Sequence, residues 1–519
     1  MPHDIKYSVA AANTVRKSLA TMRIVSVSKS PPHDFQLSWV IWCLSIGLAF
    51  VVILRSFFSF DVADANCVGL LGTFMLLSYV LAYKLVQWRP QFILTPLPWF
   101  LLASGAYFGL GPLVYFFGAD AAIAYCQAVF PVTVEDLIRV TISNLAGVTI
   151  VFCVWFWMTR RVIQVKSLRV RPDDMTRAMV VFYLIGIPFR LVIILSSYHL
   201  IEFTVPGFLT WLANFTSAGL VLLTTMAFRR GGVWWLILGA MFTMDVVAAM
   251  GVFSKLPIIL SVLPCVFGYL LYRPGVKALP WILVFIGCVY LASNSYVTYC
   301  RKHGLGQEIS MSTRMELGKS FFDSDRNEVE DVNATQNWWT RLNYANVQSF
   351  AMREFDYGSP GDSVELALIA PIPRILWPEK PIIESGTGLY KRLTGQESAS
   401  FGIGFFTEAY WNGGWGYVIL SAAAIGWVFG TVTLAFAKEQ SVGNLWVLPI
   451  SLLWVRSGAR VDGWMHTEIV GPAVFTLIFI GIMRLWRPAT SAKINKRSSR
   501  RRRLRKDAIV SRCPIEEMP

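Results

Sequence analysis

Long apolar blocks separated by short polar connections recur along most of this 519-residue chain. Each block is close to the roughly 20 residues that an α-helix needs to cross the hydrocarbon core of a bilayer. The pattern predicts an all-α polytopic integral membrane protein with about twelve transmembrane helices. The predicted spans are 38–56, 67–86, 94–117, 138–158, 178–197, 207–227, 233–252, 256–272, 279–296, 413–436, 444–457 and 466–484.

The composition supports this class. Hydrophobic residues make up 55% of the chain and charged residues 15%, whereas an average soluble protein has about 25% charged residues. This deficit of charge excludes a disordered chain, a coiled coil and an ordinary soluble enzyme.

Basic residues divide unequally between the two sides of the membrane. With the N-terminus inside, the inner loops and their edges hold 13 lysines and arginines, and the outer loops and span edges hold 5. Because short loops rich in Lys and Arg stay in the cytoplasm, both termini are predicted to be cytoplasmic.

The same pattern divides the chain into five regions. They are a basic cytoplasmic segment 1–37, spans 1–9 at 38–296, a large extracytoplasmic loop 297–401, spans 10–12 at 402–484 and a basic cytoplasmic tail 485–519. From Arg484 onward the chain has 12 basic and 3 acidic residues. A tail of this kind can bind nucleic acid, but beside a membrane we interpret it as an anchor on anionic lipid and expect no nucleic-acid partner.

The loop 297–401 differs from the other connections in its length and charge. It has 11 basic and 14 acidic residues, so it is not a basic loop retained inside. Its tryptophans and phenylalanines provide enough apolar side chains to pack against the membrane body. A loop of this length is usually functional, and we expect short helices in it rather than a separate globular domain.

A proline-rich segment near the end of this loop, Pro371 to Pro381, contains four prolines in eleven residues. Proline at this density excludes a regular helix. The segment is therefore predicted to be an extended or turning strap, with Trp377 at the membrane interface. Arg374 and Lys380 then present fixed cations at the outer surface, either for a substrate or for lipid phosphates.

Glycines and aromatic residues crowd the stretch 401–416, where the chain re-enters the membrane. Glu408 lies beside an apolar span, where an unpaired carboxylate is costly. It is predicted to have a cationic partner or a proton to transfer, or else to remain in interfacial water.

Two motifs in these stretches resemble those of the oligosaccharide repeat unit polymerases, the Wzy-type O-antigen polymerases of bacteria. They are Trp377-Pro378-Glu379-Lys380-Pro381 and Glu408-Ala409-Tyr410-Trp411-Asn412-Gly413-Gly414. The many spans and the single large outer loop are also similar to that family. The motif resemblance covers residues 371–416, and the rest is a resemblance of architecture.

The resemblance implies a GT-C-like, metal-independent glycosyltransferase without a cofactor, in the inner membrane of a bacterium. It would join undecaprenyl-diphosphate-linked oligosaccharide repeat units on the periplasmic face, for O-antigen, capsule or exopolysaccharide. A flippase and a chain-length regulator are further partners that it implies. The alternatives are an O-antigen ligase, which uses the same donor, and a lipid-linked oligosaccharide flippase or other transporter, although the chain shows no internal repeat.

A diphosphate leaving group needs cations, preferably guanidinium groups, and the attacking hydroxyl needs a base. Glu408, Arg374 and Arg190 are the predicted catalytic residues; Arg190 lies inside a span, where an arginine is functional by default or else fixes helix packing. The predicted substrate-binding residues are Lys380, Trp377, Tyr410, Asn412, Arg341, Arg353, Arg456, Arg460, His466 and Lys255, and Arg301 is a further loop candidate. We expect the outer loop and spans 5, 7, 10 and 12 to form the site.

Three further acidic features do not belong to the predicted site residues. Asp323-Ser324-Asp325 has the spacing of metal-dependent glycosyltransferases, but it lies in an acidic run that is typical of a solvated loop. Asp245, inside a span, is either a proton-relay carboxylate or a partner for a polar group on a neighbouring span. Asp462 and Glu468 accompany Arg456, Arg460 and His466 around the outer turn before the last span. No metal site is predicted.

The charge asymmetry generates a prediction about topology. A cysteine introduced at position 330 should react with a membrane-impermeant maleimide in intact cells, and one at position 166 should react only after lysis. Labelling of position 166 in intact cells would contradict the predicted orientation.

Overall fold

The computed structural model describes an all-helical chain, and its described part contains no strand. The described residues are 61–160, 172–198, 200–201, 207–253, 255–273, 278–304, 311–323, 337–369, 372, 377, 379, 385–395, 402–441 and 444–486. The chain forms two compact units, Met1–Pro472 and Ala473–Pro519. The described part of the second unit is the helix that ends at Trp486.

Eight helices of the described part are long and apolar enough to cross a membrane. A helix of 18 residues is about 27 Å long, close to the thickness of the hydrocarbon core. They are α1 (Val62–Trp88), α2 (Pro96–Phe117), α4 (Val134–Thr159), α5 (Pro172–Ser197), α6 (Gly207–Arg230), α7 (Val233–Met250), α9 (Leu279–Gly304) and α14 (Phe405–Ser441). A short helix, α3 (Asp120–Val129), lies between α2 and α4.

Three further predicted spans coincide with shorter apolar helices. These are α8 (Lys255–Tyr272), α15 (Leu448–Ala459) and α16 (Gly471–Trp486), which follows the π-helical turn His466–Val470. The first predicted span, 38–56, and the basic tail lie outside the described residues. The structure therefore confirms an α-helical membrane protein, and the count of twelve spans stays a prediction.

The helices on either side of the long loop extend beyond the predicted spans. α9 continues to Gly304, past the predicted span end at 296, and α14 begins at Phe405 rather than 413. The predicted spans ended where polar residues begin. In the structure these polar residues remain helical, because no proline interrupts the backbone hydrogen bonds there. Between these helices lie short helices, as predicted: α10 (Met311–Asp323), α11 (Ala345–Asp356), α12 (Ser363–Ile369) and α13 (Ser385–Thr394).

α14 packs closely along α4. A Cβ on Gly147 of α4 would lie 2.3 Å from the Phe406 ring, so the two backbones approach in a way that a larger residue would prevent. Trp155 Nε1 donates a hydrogen bond to Thr433 Oγ1 at 3.0 Å further along the pair. These contacts fix the position of the first turns of α14, which contain Glu408.

α14 bends at the pair Gly413–Gly414. Gly414 has a φ of +62°, in the left-handed region that side chains other than glycine rarely adopt. The bend separates the segment Phe405–Asn412 from the long apolar part of α14. This segment can therefore pack on the loop helices rather than continue straight along the membrane part of α14.

The close approach of α4 and α14 generates a stability prediction. Gly147→Val should lower the free energy of unfolding by about 1–3 kcal/mol, because the new side chain overlaps the Phe406 ring. Thermal unfolding of the detergent-solubilised protein measures this loss. Gly239→Val on α7 is the matched control, because no atom lies within 4 Å of its Cβ position. Equal melting temperatures for the two variants would contradict the close packing.

Candidate functional site

The turn after α15 contains the most densely charged group of the described residues. Arg460 follows the end of α15, and its guanidinium lies 3.5 Å from an oxygen of Asp462 and 3.5 Å from an oxygen of Glu468. Burial lowers the pKa of Arg460, but the two carboxylates more than offset this and raise its pKa above the ordinary value. Arg460 therefore remains a cation at any physiological pH.

Arg190 projects from α5 toward α7. It follows Pro188 within the helix, and its guanidinium lies 3.5 Å from an oxygen of Asp245. The Nε atom of Arg190 is buried and forms no hydrogen bond with any residue that the structure describes. Asp245 therefore pairs with a neighbouring span, as one of its two sequence interpretations predicted, and the pair leaves part of the guanidinium unsatisfied.

Arg456 on α15 lies within electrostatic range of the ion pairs formed by Arg460 and by Arg190. It interacts electrostatically with Glu468, Arg460 and Arg190, but no described residue forms a hydrogen bond or an ion pair with its guanidinium. We call Arg190, Arg456 and Arg460, with Asp245, Asp462 and Glu468, the arginine cluster. The positive charges of Arg456 and Arg190 repel each other, so an anion bound between these two side chains would be stabilised.

Three tyrosines border the arginine cluster. Tyr344 donates a hydrogen bond to Asp462 Oδ2 at 3.2 Å, and its ring meets the Tyr107 ring edge-on at 5.6 Å. Tyr290 interacts electrostatically with Asp462 on one side and with Arg341 on the other. Burial and the charge of Asp462 raise the pKa of Tyr344 well above its ordinary value, so its hydroxyl stays a neutral donor. We call Tyr107, Tyr290 and Tyr344 the tyrosine wall.

A second set of cations lies beyond the tyrosine wall. Lys255, the first residue of α8, donates a hydrogen bond to Asn294 Oδ1, and its ammonium lies 5.2 Å from the centre of the Tyr290 ring. Arg341 and Arg301 are its charged neighbours. Burial, reinforced by these two arginines, lowers the pKa of Lys255 to about 7. We call Lys255, Arg301 and Arg341 the lysine end of the site.

The arginine cluster and the lysine end together have an excess of positive charge. Together they contain six basic side chains and three carboxylates. The basic side chains are Arg190, Arg456, Arg460, Lys255, Arg301 and Arg341, and the carboxylates are Asp245, Asp462 and Glu468. Partly buried cations attract anions strongly, since the local dielectric is low. The arrangement is suited to hold an anionic group and neutral polar groups beside it.

Arg353 and Tyr410 belong to a different group, which lies where α4 meets the loop helix α11. Arg353 forms an ion pair with Asp136, and Arg139 lies 2.5 Å from a carboxylate oxygen of Asp356. The Tyr410 hydroxyl accepts a hydrogen bond from Arg139 at 2.5 Å and donates one to Asp356 at 3.2 Å. Each arginine is neutralised by its own carboxylate, so this group fastens the loop to the membrane body.

Glu408 is fully buried. One carboxylate oxygen accepts the backbone N–H of Met465 at 2.7 Å, and no described arginine or lysine forms an ion pair with it. Asn412 donates to the backbone carbonyl of Glu408 at 2.7 Å and to Ser363 Oγ at 2.8 Å. These contacts join the start of α14 to α12 and to the turn that follows Arg460, so Glu408 and Asn412 are placed as positioning residues.

The remaining predicted residues divide between this site and regions away from it. His466 begins the π-helical turn that contains Glu468, and its ring lies 6.4 Å from that of Trp464. Trp377 is exposed, whereas Arg374 and Lys380 lie outside the described residues. In the part of the chain that the structure describes, no group of three His, Cys, Asp or Glu side chains is placed to hold a metal ion.

No pattern in the sequence indicates the tyrosine wall or the ion pairs Arg139–Asp356 and Arg353–Asp136. Their members lie in different helices and loops, and no motif or spacing connects them. Tyrosines near span ends are common in membrane proteins, where they mark the interface. The three-dimensional contacts alone distinguish Tyr107, Tyr290 and Tyr344 from the other tyrosines.

Comparison with known proteins does not extend this description. No family model matches the chain, and neither a characterised protein nor a solved structure shows significant similarity to it.

Proposed function

We propose that this chain is a membrane glycan polymerase of a bacterial inner membrane. It is a metal-independent glycosyltransferase that joins undecaprenyl-diphosphate-linked oligosaccharide repeat units on the periplasmic face. The observation that carries the proposal is the arginine cluster, in which Arg456 has no hydrogen bond or ion pair from any described residue. The motifs at 377–381 and 408–414, similar to those of Wzy-type polymerases, support it.

A diphosphate leaving group fits the unsatisfied donors of the cluster. Guanidinium groups pair with two phosphate oxygens at once, which an ammonium group cannot reproduce. Within the described residues, Arg190 Nε and the Arg456 guanidinium have no hydrogen-bond partner, and Arg460 is held in place by two carboxylates. These three residues are assigned to the diphosphate, and they stabilise the charge that develops on it as the glycosidic bond breaks.

The position of the cluster along the helices fits a periplasmic reaction. Arg190 lies 18 residues after the start of α5 at Pro172, about 27 Å along the helix. The Arg-rich stretch 160–171 precedes that start, and Arg229 and Arg230 end α6. Because basic connections remain in the cytoplasm, this orientation puts the cluster on the outer side.

The other predicted residues have supporting roles in this proposal. Glu408 and Asn412 position the turn that follows Arg460, while Arg353 and Tyr410 fasten the outer loop. The tyrosine wall provides rings on which sugar faces can stack and hydroxyls that can donate to them. Arg374, Lys380 and Trp377 belong to the proline-rich segment, and we keep them as predicted contacts of the lipid-linked substrate.

Reconstituted protein tests the proposal. Purified protein with a lipid-linked oligosaccharide should produce a ladder of longer lipid-linked products, and EDTA should leave the ladder unchanged. Arg190→Lys and Arg456→Lys should each lower the rate of ladder formation by about 10²–10³-fold, because an ammonium group loses the two-pronged contact. Gel electrophoresis of the released glycans measures the ladder.

Arg177→Lys is the matched control, since this exposed arginine lies on the same helix α5 at the opposite end. Its ladder should equal that of the wild type. A single transfer to an acceptor lipid without a ladder would favour a ligase, and translocation without transfer would favour a flippase. A strict requirement for a divalent metal, or full activity of both arginine variants, would contradict the proposal.

A further inference from the structure

Transfer of a glycan to a hydroxyl releases a proton, and the carboxylates near the arginine cluster are poorly placed to accept it. Asp245 pairs with Arg190, and both Asp462 and Glu468 face Arg460. A carboxylate that is paired with a guanidinium is a weaker base. Glu408 is fully buried, and one of its carboxylate oxygens is already engaged by the backbone N–H of Met465.

Lys255 has the surroundings that a neutral amine needs. Its one hydrogen bond in the described structure goes to the neutral amide oxygen of Asn294 on α9, and no described carboxylate forms an ion pair with it. Its charged neighbours, Arg301 and Arg341, are both cations. A lysine between cations and without an acid partner favours the uncharged form.

Among the described residues, the charged groups that act on Lys255 are Arg341 and Arg301, and no carboxylate is among them. α7 has Asp245, which pairs with Arg190, and α6 has its arginines, Arg229 and Arg230, at the cytoplasmic end in the predicted orientation. α9 presents Tyr290 and Arg301 to the amine, and Arg341 comes from the turn before α11. Arg314 on α10 donates to the carbonyl of Gly251 in the connection that leads to α8.

We propose that Lys255 is the general base that takes the proton from the acceptor hydroxyl. The inference rests on the proposed glycosyl transfer. The tyrosine wall borders both ends of the site, so an acceptor at the lysine end can attack a donor whose diphosphate lies in the arginine cluster. Lys255 is a catalytic residue in this scheme, and Asn294 orients its amine.

The step balances without a further reactant. The acceptor oxygen forms a bond to the anomeric carbon, and the bond from that carbon to the diphosphate oxygen breaks with its electron pair on the diphosphate. The hydroxyl proton moves to the amine of Lys255, which becomes an ammonium group. Water then takes this proton and restores the amine.

The base must be uncharged before reaction, so activity should follow its titration. With a pKa of about 7, Lys255 is mostly protonated below that pH and mostly neutral above it. The value of kcat/KM should therefore rise as pH increases through about 7 and then level off. A lysine that merely attracts phosphate would give the opposite trend, because its charge disappears as pH rises.

Substitution separates the two roles. Lys255→Arg keeps the positive charge but cannot act as a base, so it should lose about 10²–10⁴-fold in kcat/KM and lack the rise near neutral pH. Lys255→Met should be equally slow, and added methylamine should restore part of its activity. Lys302→Met, an exposed lysine on α9, is the control and should behave as the wild type.

The outcomes distinguish this inference from the proposed function. Absence of a ladder from wild-type protein would overturn the proposed function itself. A wild-type ladder with an active Lys255→Arg variant, or with no methylamine rescue of a folded Lys255→Met variant, would overturn the assignment of Lys255 as the base. If Lys255→Met does not accumulate, the pH profile of Lys255→Arg decides the question.

Discussion

The charges of the arginine cluster constrain the rest of this structure. Bringing a guanidinium into an apolar body is costly unless carboxylates and hydrogen bonds offset the lost hydration. Asp245, Asp462 and Glu468 provide that compensation for Arg190 and Arg460. Arg456 is stabilised by Glu468 but opposed by the charges of Arg460 and Arg190, and no described residue forms an ion pair with it. The cluster is thereby kept in place and still has capacity to bind an anion.

The surrounding fold holds the turn that contains these charges. Glu408 binds the backbone of Met465, and the position of Glu408 depends in turn on the close packing of α14 against α4. The ion pairs of Arg139 and Arg353 attach α11 to the same helix α4. Because α11 follows directly after Tyr344, these contacts also hold the tyrosine wall beside Asp462.

Apolar patterning predicted the helices well and the contacts between them poorly. The blocks at 138–158 and 233–252 correspond to α4 and α7, since length and hydropathy decide where a membrane helix forms. The proposed chemistry requires Arg190, Lys255 and Arg456 together, and the sequence could nominate each of them because charges in or beside spans are unusual. It did not indicate that Arg353 has its own carboxylate, or that Glu408 binds a backbone amide, because these partners are set by packing.

The central claim is that the arginine cluster binds a lipid diphosphate, and a structure with undecaprenyl diphosphate bound tests it most directly. We expect phosphate oxygens at about 2.7–2.9 Å from the guanidinium nitrogens of Arg190 and Arg456, the usual length of charge-assisted hydrogen bonds. The prenyl chain should then lie along the apolar helices. Diphosphate bound elsewhere, with the arginine cluster unchanged and empty, would contradict the account.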